Sequence, residues 1–429
     1  MELTRIKSLC DYIEGCDRCG KCKFIPSERI KSWRFSSGCP AISRYNFHIY
    51  SGGGKQNLAL SLLDKRIDEI SDSVLEIIYR CQMCGSCDVS CKYTKDIEPL
   101  EVIQQLRITC IENGFLNPTL MPVIDGLRKE DNMMQALKAD RGKWAEGLEV
   151  KDITREKAEV YYHAGCRYCF DEELWSAARS AVNLLKKAGV DVGIAGKEEA
   201  CCGGRAYEMG YEGELTKYAE HNTELLKVAG VKTVVTPCAD CYYAFKVLYD
   251  KIGKKLPVEV LHITEYLARL INEGKLRPSR SIPMTVTYHD PCNLGRKGEP
   301  YIHWEGVRTR EPTEPTLHVP PKEFRRGTYG IYEPPRDVLR SIPGLRLAEM
   351  ERIKEYAWCC GAGGGVKDLY PEFAIWSAQE RITEAEATGA EAIVTACPWC
   401  KRNFTDAISQ NGNNLKVYDV VELLNEATS

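Results

Sequence analysis

Apolar side chains recur at helical spacing through much of the first third of the chain. In Gln56–Tyr79 the leucines, isoleucines and valines lie mostly three or four positions apart, and Ile97–Ile111 repeats this pattern. A recurrence of this period predicts helices with one buried face. Further along, short apolar runs such as Val160–Tyr162 and Thr233–Thr236 alternate with longer helical stretches. Because such alternation favours parallel βαβ units, we predict a mainly α-helical part followed by an α/β part.

An internal repeat runs through the α/β part. Three motifs occur twice, in the same order. The first copy has VYYHAGC ending at Cys166, CCG starting at Cys201 and TVVTPCADC starting at Thr233. The second copy has VTYHDPC ending at Cys292, CCG starting at Cys359 and AIVTACPWC starting at Ala392. The spacing predicts three helices, at Leu174–Lys187, Glu214–Ala229 and Pro371–Thr388. Each copy therefore has strand, helix, strand, a Cys-Cys-Gly loop, helix, strand, and a Cys-x2-Cys pair that opens a helix. All the cysteine groups follow strands, at the edge where parallel sheets place their ligands.

The cysteine content decides the class of protein. The chain has 429 residues and 21 cysteines, with 58 Lys and Arg against 61 Asp and Glu. This balance gives no basic field for nucleic acid. We find no transmembrane run of about 18 apolar residues, and Met1–Gly15 lacks the apolar block of a secretory signal. A cytoplasmic chain keeps its thiols reduced, so closely spaced cysteines are interpreted as metal ligands. Cys10 and Cys110 stand outside any pattern and are predicted to be buried small hydrophobes.

Two cysteine runs in the helical part are typical of cubane iron–sulfur sites. Cys16, Cys19 and Cys22 form one triplet, Cys81, Cys84, Cys87 and Cys91 form a second run, and Cys39-Pro40 lies between them. In two-cluster ferredoxins the fourth cysteine of each run ligates the other cluster. We therefore assign Cys16, Cys19, Cys22 and Cys91 to one cluster and Cys39, Cys81, Cys84 and Cys87 to the other. Cys10 competes as a fourth ligand, and structural zinc is disfavoured because zinc prefers paired ligands to triplets.

These patterns divide the chain into three predicted domains. Residues 1–150 form a ferredoxin-like helical domain with two [4Fe–4S] clusters, residues 151–275 the first repeat copy, and residues 276–429 the second. The second copy contains an insertion at residues 293–328, rich in Pro, Arg and Glu. A loop of this length predicts a lid or a docking surface. His303, near its start, is the best candidate there for a proton donor.

Each repeat copy presents five cysteines, one more than an ordinary cubane cluster uses. The whole chain resembles heterodisulfide reductase in its fused form, in which a ferredoxin-like C subunit precedes a catalytic B subunit with two cysteine-rich CCG domains. The resemblance implies two non-cubane [4Fe–4S] clusters. The first would use Cys166, Cys201, Cys202, Cys238 and Cys241, and the second Cys292, Cys359, Cys360, Cys397 and Cys400. Cys169 is an alternative to Cys166, although its counterpart in the second copy is Gly295.

The resemblance also implies an activity and its partners. Electrons from a flavin- or iron–sulfur-containing subunit, or from another redox subunit, would pass two cubane clusters and reach a disulfide between the non-cubane clusters. A low-molecular-weight thiol or disulfide would be the substrate. One alternative is a relay subunit of a larger anaerobic complex, such as the ATP-independent benzoyl-CoA reductase or an electron-bifurcating enzyme. A second alternative is the iron–sulfur subunit of a quinone-linked dehydrogenase. Membrane attachment would come only through a partner.

Two glycine-rich segments and two histidines are weaker signals. Gly361–Gly365 departs from the dinucleotide-binding pattern and is better explained by close approach of the backbone to a cluster. Gly52–Lys55 is not a P-loop, and we predict a flexible turn or a contact to a flavoprotein partner. His163 and His289 precede the lone cysteines by three residues. A structural hydrogen bond is the simpler role for each, and tuning of a cluster through an N–H bond to sulfur is the alternative.

Overall fold

The computed structural model describes residues 1–93, 95–309, 317–323 and 325–429. Its first part is helical, as the apolar spacing predicts. The helices there are α1 (Thr4–Lys7), α2 (Cys10–Glu14), α3 (Pro40–Tyr45), α4 (Gly52–Leu63), α5 (Asp72–Tyr79), α6 (Ser86–Lys92), α7 (Pro99–Glu112) and α8 (Met121–Glu130). Ser51 caps α4 by accepting a 3.1 Å hydrogen bond from the Gly54 amide. Pro99 takes the first turn of α7, where a missing amide is tolerated.

The stretch Gln56–Tyr79, which the spacing predicts to be helical throughout, is two helices. α4 ends at Leu63 and α5 begins at Asp72. Lys65 has a left-handed backbone conformation with φ of 57°, which interrupts a right-handed helix. Ser71 then caps α5 by accepting a hydrogen bond from the Val74 amide. Turn and cap chemistry therefore override an apolar period that continues across the break.

The first repeat copy forms a five-stranded parallel sheet in the order β1-β3-β2-β4-β5. Its strands are β1 (Lys151–Asp152), β2 (Val160–Tyr162), β3 (Val192–Ile194), β4 (Thr233–Thr236) and β5 (Glu259–His262). Its helices are α9 (Cys166–Phe170), α10 (Trp175–Lys187), α11 (Gly204–Glu208), α12 (Glu212–Ala229), α13 (Ala239–Tyr243), α14 (Tyr249–Lys251) and α15 (Ile263–Asn272). β2 and β4 are almost entirely buried, as parallel strands covered on both faces must be.

The second copy repeats this arrangement with a four-stranded parallel sheet in the order β11-β10-β6-β9. Its strands are β6 (Thr285–His289), β9 (Arg346–Leu347), β10 (Ala392–Thr395) and β11 (Lys416–Asp419). Its helices are α16 (Glu333–Arg340), α17 (Val366–Leu369), α18 (Pro371–Glu386), α19 (Pro398–Asn411) and α20 (Val420–Ala427). The fold is therefore mixed α/β with two parallel sheets of the same strand order.

The two copies pack against each other reciprocally. Helix α10 of the first contacts α20 of the second, and α15 of the first contacts α16 of the second. In the strand order of each sheet, α10 corresponds to α16 and α15 to α20, so the packing follows an approximate twofold relation. One continuous apolar core includes residues from both sheets, for example Val235 and Val394. Like positions of the two repeats are thereby brought together at one boundary.

The insertion at residues 293–328 contains ordered structure. It holds an antiparallel hairpin of β7 (Val307–Thr309) and β8 (Leu317–Val319), while residues 310–316 and 324 lie outside the described part of the chain. Arg308 donates a 2.8 Å hydrogen bond to the Asp96 carbonyl and lies over the Tyr12 ring. The insertion is thus packed on the helical part and helps to line a cavity of about 390 Å³ between that part and the first repeat copy.

Candidate metal centre

Four cysteines of the helical part surround one small pocket near the surface. Cys16, Cys19 and Cys22 come from the loop after α2, and Cys91 lies on α6. The amide of Gly53 donates a 3.3 Å hydrogen bond to the sulfur of Cys22. We call these four cysteines the outer set. Cys10 does not join this set, because the residues that affect its pKa are Glu14, Asp11 and Lys7 and include no cysteine. Its side chain is partly exposed and not buried.

A second group of four lies deeper in the chain. Cys39, the residue before α3, has Cys81 and Cys84 as electrostatic neighbours, and Cys87 lies close to all three. We call Cys39, Cys81, Cys84 and Cys87 the inner set. Fold and not local spacing brings Cys39 to the later run. Cys110 is fully buried in the apolar core of the helical part, as predicted.

The segment Gly52–Lys55 corrects one prediction. It is neither a flexible turn nor an exposed contact, because it forms the buried first turn of α4 between the two sets. A β-carbon on Gly52 would lie 2.8 Å from the Cys87 β-carbon, and one on Gly53 would lie 3.4 Å from the Cys22 sulfur. These two glycines have negative φ, so space and not backbone conformation requires them. Adjacent glycines therefore let one backbone approach both cysteine sets.

Each repeat copy gathers five cysteines in the same sequence of contacts. In the first copy, neighbouring sulfurs interact in the order Cys166, Cys201, Cys202, Cys241, Cys238. In the second copy the order is Cys292, Cys359, Cys360, Cys400, Cys397. The Cys360 and Cys400 sulfurs are 3.2 Å apart. The Cys-x2-Cys pairs open α13 and α19.

Contacts between sets link the whole chain. The Cys84 thiol of the inner set interacts with Cys359 of the second five-cysteine set. Cys238 and Cys397, the first cysteines of the two Cys-x2-Cys pairs, interact across the boundary between the repeat copies. Hydrogen bonding to Cys359 lowers the pKa of Cys84 to about 5, which favours the thiolate form that binds metal. The cysteine sets thus follow one another in space without an intervening domain.

Comparison with known proteins now identifies the family. The 4Fe-4S dicluster domain family matches residues 12–94, and the cysteine-rich domain family matches residues 160–246 and 316–405. Over 97% of its length the chain is 32% identical to the D subunit of dihydromethanophenazine:CoB--CoM heterodisulfide reductase of Methanosarcina mazei, and it covers 94% of that protein. The chain belongs to the family of heterodisulfide reductase D subunits. It is accordingly an iron–sulfur oxidoreductase subunit.

Two further similar proteins have lower sequence identity to this chain. EtfAB:quinone oxidoreductase of Syntrophomonas wolfei is 27% identical over 97% of the chain, which covers 58% of that protein. The crystal structure of a hypothetical protein from Helicobacter pylori has a TM-score of 0.55 at 11% identity, over 88% of this chain and 68% of that one. This second likeness bears on the fold alone. Across residues 1–93, 95–309, 317–323 and 325–429, no helix has the length and apolarity needed to span a bilayer.

The ligand atoms that this chain offers fit iron–sulfur clusters. All four sets consist of thiols, and backbone amides point at several of the sulfurs. The Gly203 amide donates to Cys201 at 3.3 Å, and the Gly361 amide donates to Cys359 at 3.4 Å. Both glycines follow a Cys-Cys pair and have positive φ, 74° and 99° respectively. Hydrogen bonds to sulfur are the interactions that tune such clusters.

The remaining candidates divide by position. His289 groups with Cys360 and Cys400, their ligand atoms lying within 4.8 Å of one another, whereas His163 pairs with Tyr161 at 3.0 Å. Cys169 interacts with the Glu199 carboxylate at 3.4 Å and lies beside the first five-cysteine set, outside its sequence of contacts. His303 is 59% exposed and bonds Asp250 at 2.9 Å. The structure does not bring His303 to any cysteine set.

Several residues near the sets carry no signal in the sequence. Arg141 is fully buried, pairs with Glu199 at 3.0 Å and donates to the Cys166 sulfur at 3.6 Å. Arg107 and Lys55 are also fully buried near the inner set. A lysine directly after three glycines, at the start of an apolar helix, could have indicated Lys55. Arg107 and Arg141 look like ordinary helix or loop cations until the fold is known.

The segment Gly361–Gly365 packs directly against the loop that carries Cys81 of the inner set. A β-carbon on Gly364 would lie 2.7 Å from the Cys81 carbonyl oxygen, and one on Gly363 would lie 2.5 Å from the Gln82 carbonyl oxygen. The Gly364 amide also donates a 3.1 Å hydrogen bond to the Glu208 carboxylate. These glycines therefore let the second copy's Cys-Cys loop pack on the loop that carries the inner set.

Proposed function

We propose that this chain cleaves a disulfide at the boundary between its two five-cysteine sets. The contact between the Cys238 and Cys397 thiols supports the proposal, because clusters held by the two five-cysteine sets would then lie on either side of one position. A disulfide needs two electrons and two protons: R–S–S–R′ + 2e⁻ + 2H⁺ → RSH + R′SH. The CoB–CoM heterodisulfide named for the relatives supplies the substrate class that we extend to this chain.

The proposed cofactors are two cubane and two non-cubane [4Fe–4S] clusters. The outer and inner sets would hold the cubane pair, and the two five-cysteine sets would hold the non-cubane pair. When bound, clusters of this kind supply one-electron transfer at potentials from about −700 to +450 mV. The chain itself supplies thiolate ligands, hydrogen bonds to sulfur and burial from water. Nearly all of the ten cysteines in the five-cysteine sets are buried, Cys292 being the partly exposed member.

The contacts between sets support an order for the electron path. Cys19 of the outer set is exposed, and the glycines of α4 separate the outer from the inner set. Cys84 then contacts the second five-cysteine set, and Cys397 contacts the first. We therefore propose entry at the outer set, from a flavin- or iron–sulfur-containing subunit or another redox subunit. The second repeat copy is reached before the first.

Polar groups at the boundary would orient the substrate. Asp240 accepts a 2.7 Å hydrogen bond from Asn293 and a 3.3 Å one from Arg205, so residues of both repeat copies meet beside Cys397. Burial raises the pKa of Asp240 to about 7. His303 lies too far outside this region to serve as its proton donor in the described arrangement. The insertion at residues 293–328 stays a predicted lid or docking surface, and its residues 310–316 and 324 are outside the described part.

Thiol titration tests the proposal. The full chain, purified without oxygen, is oxidised and then exposed separately to CoM and CoB while EPR spectra are recorded. We expect one thiol to evoke a new paramagnetic signal. In the variant Cys360→Ser we expect the loss of either this new signal or one non-cubane signal. The cubane signals should persist. If neither the thiols nor their mixed disulfide perturb any signal, the disulfide reaction is excluded.

A second candidate function is electron relay inside a larger complex. The similarity to EtfAB:quinone oxidoreductase over 97% of the chain favours it, although the chain covers 58% of that protein. Under this alternative the clusters pass electrons toward a quinone-linked or other partner and no thiol alters them. The retention of both complete five-cysteine sets favours disulfide chemistry over a relay, and the EPR titration separates the two.

A further inference from the structure

The surface around the outer set has features that the reaction itself does not require. Of the 21 cysteines, all of which lie in the described residues, Cys19 is the exposed one. It lines a shallow pocket of about 230 Å³ together with Phe24, Pro26 and Tyr93. Phe24 is 52% exposed and Tyr93 is 40% exposed. Large aromatic rings in solvent beside a redox site are typical of a protein interaction surface.

The same segment carries an excess of positive charge. Residues 16–34 contain six basic and two acidic side chains: Arg18, Lys21, Lys23, Arg29, Lys31 and Arg34 against Asp17 and Glu28. Within the described residues Arg34 is the one of these six that forms an ion pair, with Glu380. Asp17 pairs with Lys95, and Glu28 bonds Tyr93, so both acids are already engaged. The net charge of the whole chain is −3, so this patch is a local feature.

We propose that this surface docks an acidic one-electron redox protein. An apolar centre with a charged rim suits a transient complex, and opposite charge on the partner would steer the encounter. At each encounter the partner would lose one electron to a cluster held by the outer set, so two encounters would supply the two electrons that a disulfide consumes. The inference depends on electron transfer but not on disulfide chemistry.

Charge reversal with a matched control tests this surface. The variant K21E/R29E/K31E changes three exposed cations of the segment that contains Cys19, and K157E/K197E/K227E changes three exposed lysines of the first repeat copy. The probe is a reduced, acidic bacterial-type ferredoxin, and stopped-flow absorbance follows oxidation of the probe by each variant. We expect the first variant to react about tenfold or more slowly at low salt and to lose its salt dependence. The control should stay close to the unmodified rate.

Two further observations keep this test decisive. Iron content and EPR spectra confirm that each variant still holds its clusters, so a slow rate reports docking. Equal slowing of both variants, or a rate for K21E/R29E/K31E that matches the unmodified chain, would overturn the proposal. Because the ferredoxin reaction needs no thiol or disulfide, its result is independent of the substrate titration.

A different observation concerns the inner set, beside which lie two fully buried cations, Lys55 and Arg107, and a third buried one, Arg296, without carboxylate partners in the described chain. The Lys55 ammonium donates to the Tyr50 carbonyl at 2.6 Å, and the Arg107 guanidinium donates to the Cys81 carbonyl at 2.7 Å. Arg107 also donates to the carbonyls of Ile78, Tyr79, Glu208 and Gly364. No ion pair joins either residue to an acid of the described chain. By contrast, fully buried Arg141 and Arg336 have Glu199 and Asp290.

A buried cation without a counter-charge is strongly unfavourable. The inner set would supply negative charge to both cations, since Cys81, Cys39 and Cys87 act electrostatically on Lys55 and Arg107 contacts the Cys81 carbonyl oxygen. We infer that Lys55 and Arg107 are positioning residues that neutralise the inner set when it is loaded and make it easier to reduce than the outer set. This would draw electrons inward from the surface.

Redox titration of the cubane signals tests the inference. In Lys55→Met we expect the inner signal, identified by its loss in Cys39→Ala, to shift to a more negative potential while the outer signal stays. A tenfold change in the one-electron equilibrium corresponds to about 59 mV. Lys55→Arg should restore the potential, and Lys251→Met, which removes a partly buried lysine paired with Glu101, should change neither signal. Equal shifts of both signals, or no shift with iron retained, would overturn the inference.

Iron loss has a defined meaning in the same experiment. If Lys55→Met loses the iron of the inner set alone and Lys55→Arg retains it, the counter-charge role is still supported. The supporting result is then the retention of iron and not the shift of the redox potential. If both variants lose iron from every set, Lys55 is a folding residue and the inference fails. Arg107→Lys offers an independent second variant, because it keeps the charge and removes most of the five carbonyl contacts. Its inner potential should stay near that of the unmodified chain.

Discussion

The outer and inner cysteine sets share the Cys-x2-Cys-x2-Cys spacing but occupy opposite surroundings. The outer set includes exposed Cys19, and the cations near it stand in solvent. The inner set lies against the second repeat copy, and its cations, Lys55 and Arg107, are fully buried. One glycine of α4 contacts each set, Gly53 the outer and Gly52 the inner. Local spacing therefore predicts three cysteines of each set, and the fold supplies the fourth. In our proposal, tertiary contacts also decide which set meets a partner and which set passes electrons inward.

Removal of the inner-set cysteine that is distant in sequence should have the largest effect on the iron content of the inner set. Cys39→Ala removes the inner-set cysteine that the fold brings to the later run, so we expect loss of about four of some 16 irons. Iron analysis and EPR should show the outer signal unchanged. Cys10→Ala is the matched control and should retain all the iron. Full iron retention in Cys39→Ala would show that another residue completes the inner set.

Added methyl groups on α4 should sharpen the difference between the sets. Gly52→Ala places a β-carbon 2.8 Å from that of Cys87, whereas Gly53→Ala places one 3.4 Å from the Cys22 sulfur. We expect Gly52→Ala to destabilise the chain by about 1–3 kcal/mol through overpacking and to lose inner-set iron first. Gly53→Ala should have a smaller effect, confined to the outer signal. Thermal unfolding and EPR measure both, and identical behaviour of the two variants would contradict the assigned contacts.

Contact between the inner set and the second repeat copy can be tested at Gly364. This residue has φ of 58°, and a β-carbon would lie 2.7 Å from the Cys81 carbonyl oxygen. Gly389 has φ of 72° with nothing within 4 Å, so Gly389→Ala isolates the backbone strain alone. We expect Gly364→Ala to lower the apparent Tm further, with a penalty of about 1–3 kcal/mol for the strain common to both. A shift of the inner EPR signal is expected in Gly364→Ala only.

The smallest effect on iron should come from Cys110. This thiol is fully buried in the apolar core and belongs to neither set. Cys110→Ser places a hydroxyl in that core and should destabilise the chain by about 1–3 kcal/mol. Urea unfolding should show the loss of stability, while iron content and both cubane signals stay as they were. Loss of iron in this variant would mean that Cys110 is closer to a cluster than the core packing indicates.

Much of this architecture can be predicted from sequence because the chemistry is local. Motifs at Cys201 and Cys359, and at Cys238 and Cys397, repeat in order, and the two parallel sheets follow the same strand order. Helices such as α7 and α12 begin within two residues of the positions that apolar spacing indicates. The resemblance to heterodisulfide reductase carried the function class, which the family comparison bears out.

What could not be predicted depends on contacts between distant segments. The break between α4 and α5 follows from a left-handed residue and a serine cap within an unbroken apolar period. Gly52–Lys55 resembles a loop in isolation, and only the fold places it between two cysteine sets. His303 is a candidate from sequence only because it lies in the insertion, and the structure sets it on the surface beside Asp250. Long-range geometry of this kind leaves no periodic or motif signal.

We propose that the four separated cysteine sets hold iron. The direct test is metal analysis of the full-length chain after anaerobic purification. Iron and acid-labile sulfide are counted per chain, together with the integrated EPR intensity of the reduced protein. We expect about 16 irons per chain, which is four clusters of four, with two separable cubane signals. Zinc in place of iron, or iron well below that number in stable folded protein, would contradict it.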